Sequence, residues 1–164
     1  MCWSHLLFSQ GFGTRRVCAG LIAAQAVSAN GQVVGEDDEV DAVEGLAFEV
    51  DGQPWTYHAS ALVLLHKPAG YECSQKPRHH PSVLTLLPPP LRQRGLQTIG
   101  RLDEDTTGLL LLTDDGTLIH RLTSPKHHVP KVYEVTCKHA MEPRQVEQLL
   151  RGVAPPAVRV PQVR

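Results

Sequence analysis

The chain has 164 residues, 41% of them hydrophobic, with 16 Lys and Arg against 17 Asp and Glu. That is enough apolar material for a packed core in one medium domain or two small ones. A formal net charge of −1 gives no whole-chain sign of a polyanion partner. Cys2, Cys18, Cys73 and Cys137 are scattered, with no pair at metal-ligand spacing, and read as reduced thiols. No charged start leads into an apolar core, and no apolar run approaches the length of a membrane span, so the expectation is a soluble, cytoplasmic protein with no membrane partner. The overall charge hides a split. Residues 1–59 hold two Lys or Arg against eight Asp or Glu, while residues 60–164 hold fourteen against nine, and seven of the nine histidines. An acidic front and a basic, histidine-rich rear are compatible with a phosphate-bearing partner for the rear.

Along the chain, residues 1–12 form a mixed segment ending in the breakers Gly11-Phe12-Gly13. Thr14 is placed to cap a helix running to about Ala24, with Val17, Leu21 and Ile22 at helical spacing. Arg15 and Arg16 open that helix, where the dipole gives a cation no advantage, so an external anion explains them better than helix stability does. Asn30-Gly31 between residues 26–29 and 32–34 is a hairpin signal, followed by an acidic, solvated run over 35–41. Residues 47–50 with Asp51-Gly52 form another strand and turn, and residues 55–60 read as a linker. Such a module has few apolar residues of its own and is stable mainly when supported by a neighbour.

The apolar run at 61–65 predicts a strand buried on both faces, ending at Lys67-Pro68-Ala69-Gly70. Residues 74–81 are polar and basic, carrying Lys76, Arg78, His79 and His80. Ser82 caps a short helix to Leu87, the prolines at 88–90 stop it, and residues 91–97 read as a loop. Then comes the densest stretch, Gly100-Arg101-Leu102-Asp103-Glu104-Asp105-Thr106-Thr107-Gly108, feeding four leucines and Thr113-Asp114-Asp115-Gly116. A polar loop before a buried strand holds side chains rigidly at a cleft. Residues 116–122 have helical spacing, 123–130 form a basic loop, 131–137 alternate as a half-buried strand, and 143–153 form a helix with Val146, Leu149 and Leu150 on one face. Residues 154–164, with three prolines, form no obvious element.

Phosphate-cradling glycine loops, Gly-x-Ser-x-Gly elbows and two-histidine helix motifs are absent. His79-His80 and His127-His128 lack converging partners for a metal, and their basic, proline-containing loops suit phosphate contact better. Asp103, Glu104 and Asp105 could supply a nucleophile or a general base. On an extended segment Asp103 and Asp105 would share one side, with Arg101 the nearest cation to offset their repulsion. The residues alone give a carboxylate-centred site beside a basic, RNA-compatible surface. An unrelated carboxylate hydrolase fits a bare acid cluster too.

The ordered landmarks carry a likeness. Gly100-Arg101-Leu102-Asp103-x-Asp105-Thr106-x-Gly108-Leu109 with the following Leu-Thr-Asp-Asp-Gly resembles the catalytic motif of the pseudouridine synthases that modify ribosomal RNA. The strand ending in Lys67-Pro68-x-Gly70-Tyr71 resembles the first motif of that family. Thr123-Ser124-Pro125-x-His127-His128 with Lys131-x-Tyr133 resembles the segment after its catalytic loop, and Gly13-x-Arg15-Arg16 through Asn30-Gly31 its small S4-like RNA-binding domain. The resemblance covers about residues 11–153 and is nearest the subgroup acting on 16S ribosomal RNA.

The resemblance implies an α+β chain: an S4-like RNA-binding domain over 1–59, then part of a mixed, mainly antiparallel-sheet catalytic domain over 60–164. It implies an isomerase acting on 16S ribosomal RNA or a pre-30S particle, as a monomer. No metal or organic cofactor is implied, because the departing uracil is retained and re-used. Asp103 matches the catalytic aspartate, acting at C1′ or on a sugar proton. Arg101 matches an arginine that pairs with this carboxylate or fills the space left by a flipped uridine. Tyr133 matches the aromatic residue that packs on the uracil. Arg15, Arg16, Lys67, His127, His128 and Lys131 match RNA-facing positions, Lys67 being equally compatible with a structural role. Gln25 stands where glycine is common. Family members continue well past the position of Arg164, so the chain reads as C-terminally truncated, and a catalytically inactive RNA-binding remnant is the alternative.

Overall fold

The computed structural model describes residues 1–127 and 129–152. They fall into two compact units, Met1–Val129 and Pro130–Arg164.

The first unit opens on helix α1 (Trp3–Ser9), where sequence reading expected only a mixed segment. The residue before it, Cys2, makes no side-chain capping bond, so the start carries no capping signal. Tertiary packing makes the helix: Trp3, Leu6 and Leu7 lie on one face and are all buried. Helix α2 (Arg15–Ala23) begins as expected, the Thr14 hydroxyl accepting from the Val17 amide at 3.3 Å. It ends on a Schellman cap, with Gln25 N–H donating to Ile22 O at 2.8 Å and Ala26 N–H to Leu21 O at 3.0 Å. Gln25 therefore takes φ +57°, the left-handed conformation that favours glycine.

Strands β1 (Val27–Ala29) and β2 (Gln32–Val33) form the Asn30-Gly31 hairpin, both turn residues having positive φ. With β3 (Ala47–Val50) and β4 (Gln53–Thr56) they make an antiparallel sheet of order β2-β1-β3-β4. Trp55 thus belongs to a strand and not to the linker. Trp55 pairs with Phe48 across the ladder, and both lie within 5.3–6.0 Å edge-to-face contact of Phe12. Trp3 packs edge-on to Phe48 at 6.0 Å. These aromatic pairs give a small core more contact than its few apolar residues promise.

A second apolar cluster, Ala61, Val83, Leu87, Leu96, Leu110 and Leu112, lies under an antiparallel sheet of order β5-β7-β6. Its strands are β5 (Leu62–Lys67), β6 (Gln97–Ile99) and β7 (Gly108–Thr113). The leucine-rich runs are not buried on both faces. Leu110 and Leu112 turn inward, whereas Leu62, Leu64 and Leu109 are more than half exposed. A continuous apolar run does not report which face is covered, and among the described residues β5 is an edge strand.

Ser82 caps a single 3-10 turn, Val83–Leu86. The prolines do not end a helix but begin one, α3 (Pro89–Gln93), since a proline at the first position loses no needed donor. Helix α4 (Gly116–Thr123) is capped by Asp115, whose carboxylate accepts from the Thr117 and Leu118 amides.

In the second unit, helix α5 (Pro143–Leu150) is bracketed by Glu142, whose N–H donates to the Gln145 side chain at 2.8 Å. The expected strand at 131–137 is not formed: no described strand pairs with it, and Val132, Tyr133 and Val135 are exposed. Alternation marks what a strand would bury, but strand formation needs a partner ladder. The expectations for His128 and for residues 153–164 lie outside the described residues. Among the described residues no helix is long and apolar enough to cross a membrane.

Candidate active site

Residues 100–107 connect β6 to β7, whose ladder pairs Ile99 with Leu111 and Thr98 with Leu112. Gly100 and Gly108, at φ +80° and +140°, turn the chain out of one strand and back into the next. Between them the Thr106 N–H donates to Asp103 O at 3.1 Å, closing a turn. The acids therefore sit on a bend rather than an extended segment, and the alternation expected of Asp103 and Asp105 does not apply.

The loop is held from beneath by Lys67, the last residue of β5 and fully buried. Its ammonium donates to Asp103 O at 2.9 Å, Glu104 O at 2.9 Å, Thr106 O at 2.8 Å and Pro68 O at 3.1 Å. Four carbonyls share three donors, so the ammonium is fully engaged with backbone. Gly70 N–H adds a bond to Glu104 O at 2.8 Å. Of the two roles open to Lys67, the structural one is what these contacts describe. The Lys67-Pro68-x-Gly70 turn and the acidic loop form one backbone-bonded assembly.

That grip leaves the side chains outward. Asp103 is exposed, and among the described residues its carboxylate has no hydrogen bond or ion pair. Arg101 is exposed as well, and the expected Arg101–Asp103 pair is not formed. Two solvated groups gain little from holding one geometry against water. Glu104 pairs instead with His80, one of the histidines whose loop suits phosphate contact.

The other site residues are dispersed. Arg15 and Arg16 are exposed at the start of α2, Arg15 stacking over Phe8 at 5.4 Å from the ring centre. His127 ends the 3-10 turn Pro125–His127 and meets His120 edge-on at 5.4 Å. Lys131 and Tyr133 lie exposed in the second unit.

Two groups escaped sequence reading. Glu72 accepts from the amides of Arg78, His79 and His80 at 3.1, 2.8 and 2.8 Å. Those amides, His80 foremost, hold its carboxyl down at about 2. A lone acid ahead of a Pro-Arg-His-His loop was the only signal, and it names no partner. Arg94 is the second. Its guanidinium meets Asp114 at 2.7 Å and also donates to Gln10 Oε1 at 2.8 Å and His58 O at 3.0 Å. Gln10 follows α1 and Asp114 follows β7, so one buried arginine fastens the end of α1, the 57–61 segment and the β5-β7-β6 sheet together. A Cβ on Gly11 would come within 2.1 Å of Pro90 O, showing how closely α1 and α3 abut there.

An exposed aspartate on a lysine-braced loop between two antiparallel strands coincides with a family match: residues 61–152 fit the family model described as RNA pseudouridylate synthase. The chain belongs to the RNA pseudouridylate synthase family. It is 38% identical over 147 residues to ribosomal small subunit pseudouridine synthase A of Yersinia pestis, covering 88% of this chain and 62% of that protein. The protein of that name from Escherichia coli strain K12 is also 38% identical, over 155 residues, with 88% and 63% covered. A crystal structure of pseudouridylate synthase shares 32% identity at a TM-score of 0.39, over 78% of this chain and 54% of that one. The chain thus spans about three fifths of the length of the curated pseudouridine synthases it matches.

Proposed function

We propose that this chain isomerises a uridine of 16S ribosomal RNA to pseudouridine, with Asp103 as the catalytic residue. The observation that carries the reading is the pairing of an exposed, uncommitted Asp103 carboxylate with a backbone clamped by buried Lys67. A carboxylate that makes no internal bond is free to meet a ribose, and a fixed main chain sets where it points. In the reaction the N1–C1′ bond breaks, the uracil turns within the site, and C5 bonds to C1′. C5 then gives up its proton and N1 takes one, so the RNA gains and loses nothing. The uridine must leave its stack for this to happen, and Arg101, free of any partner among the described residues, is suited to the vacated space. Tyr133 is assigned to the face of the uracil.

Residues 1–59 serve in this reading as an S4-like RNA-binding domain, with residues 60–164 as the catalytic part. Arg15 and Arg16 are exposed at a helix start, where RNA phosphate is a better partner than the helix dipole. His127, His128 and Lys131 are likewise assigned to RNA contact. The substrate is the RNA itself or a pre-30S particle in the cytoplasm, approached by a monomer. The two relatives named above, both called ribosomal small subunit pseudouridine synthase A, support this substrate.

The test is incubation with unmodified small-subunit RNA, or with the particle, followed by mapping of pseudouridine. A single modified position is expected, and none in either substrate would overturn the catalytic reading. A second reading, an RNA-binding chain without catalysis, is favoured by the exposure of Tyr133 on an unpaired segment. It predicts salt-dependent RNA binding with no product.

A further inference from the structure

The loop between Ser74 and Ser82 touches the Asp103 loop through the His80–Glu104 pair, and side chains bond its backbone at several points. Both carboxylate oxygens of Glu72 are consumed by three consecutive amides, those of Arg78, His79 and His80. Consecutive N–H groups converging on one point make an anion nest, and here the chain fills it with its own acid. The flanks are pinned as well. Ser82 Oγ donates to Ser74 O at 2.6 Å, Ser74 Oγ accepts from Lys76 N at 3.0 Å, and Gln75 reaches Leu96 O at 2.7 Å.

With the acid held by these amides, Lys76, Arg78 and His79 are among the loop's exposed residues. Among the described residues none of the three has an ion-pair partner. His80 turns the other way and pairs with Glu104, the neighbour of Asp103, so this loop abuts the catalytic loop. Lys76 and Arg78, unpaired among the described residues, sit on a hydrogen-bonded turn beside the loop of Asp103 and are open to an anion from outside.

We propose that the Glu72-anchored loop is a phosphate-binding ledge, on which Lys76, Arg78 and His79 hold the RNA backbone beside the uridine presented to Asp103. The inference rests on RNA being the substrate. It adds a contact surface contributed by the catalytic sheet itself, separate from Arg15 and Arg16 on α2. Phosphate contacts fix register without reading sequence, so the ledge sets where the strand lies and not which base is chosen. His80, held by Glu104, joins ledge and catalytic loop, so that backbone and target nucleotide are presented together.

The test measures affinity of the full chain for a small-subunit RNA fragment between about 50 and 200 mM salt, the range over which phosphate contacts change affinity most visibly. Arg78→Ala is expected to reduce the slope of log affinity against log salt by about 0.7–1, and Lys76→Ala/Arg78→Ala by about twice that. Arg92→Ala, an exposed cation on α3, is expected to leave the slope unchanged. Arg78 and Lys76 are exposed, so these variants fold. Glu72→Ala keeps every cation but removes the anchor, and weaker binding by this variant, once its melting shows it folded, marks the ledge as organised rather than merely charged. Slopes for Arg78→Ala and the double variant equal to wild type overturn the proposal. A chain that forms pseudouridine with an unchanged slope loses the ledge alone. One that forms none while the slope falls loses the activity and keeps the ledge.

Discussion

Lys67 Nζ lies 2.9 Å from the backbone oxygen of Asp103, and no part of that lysine reaches solvent. This cation thus shapes the loop that carries Asp103 and is not available to RNA. A Lys67→Met variant keeps the apolar stem and leaves Asp103 O and Thr106 O without this donor, while Glu104 O keeps the Gly70 amide. Unsatisfied groups of this kind cost about 1–3 kcal/mol each when water cannot replace the partner. With the loop partly open to water, a total loss of about 2–4 kcal/mol is expected. Urea unfolding checks the loss, and the salt dependence of RNA binding is expected to stay at the wild-type slope. A reduced slope would assign Lys67 to the RNA instead.

The Arg94–Asp114 pair is nearly inaccessible, at 4% and 18% side-chain exposure, and it ties the end of α1 to the end of β7. Removing one partner of such a pair strands the other. Arg94→Met is expected to cost about 2–4 kcal/mol, at the lower part of the range for buried pairs because Asp114 keeps some water and a bond to the Ala61 amide. Asp114→Asn retains that amide bond and is expected to cost less. Equal losses from the two would show that the charge pair is not the fastening element.

Gln25 carries a left-handed φ of +57° at the Schellman cap of α2. Glycine adopts this conformation without a Cβ clash, at some cost in unfolded-state entropy. Gln25→Gly is therefore expected to stabilise the chain by about 0.5–1 kcal/mol, visible as a higher melting temperature. Gln25→Ala, which keeps the Cβ, is expected to give no such gain.

The Glu72 carboxyl is lowered from its ordinary 4.5 to about 2 by the amides of His80, His79 and Arg78. A depressed carboxyl stabilises the fold above its unfolded value and loses that contribution as acid protonates it. The stability gap between wild type and Glu72→Gln is expected to be full above about pH 5, and to close as pH falls towards 2. A gap that stays constant over this window would mean the amides do not hold the charged form.

Elements whose signal is local were legible in the sequence. The Thr14 cap, the Asn30-Gly31 hairpin and the polar loop before β7 depend on residues within a few positions of one another. What was not legible depends on partners far along the chain. Helix α1 exists because Trp3, Leu6 and Leu7 find Phe48 and the rest of the first core. The exposed face of β5 and β7 reads as buried because leucine reports hydrophobicity and not the presence of a cover. Within the site, the resemblance singled out Asp103 and Lys67, but not the four carbonyls that decide what Lys67 does. Glu72 and Arg94 act through groups six to eighty-four positions away, and single residues advertise no such partners.

The most direct test of the account is single-turnover reaction of wild type and Asp103→Asn with unmodified small-subunit RNA, followed by mapping of pseudouridine. The substitution keeps the size of an exposed side chain that makes no internal bond among the described residues, so folding and RNA affinity are expected to match wild type. Pseudouridine at one position is expected with wild type and none with Asp103→Asn. Product from the variant at the wild-type rate, or none from wild type, would contradict it.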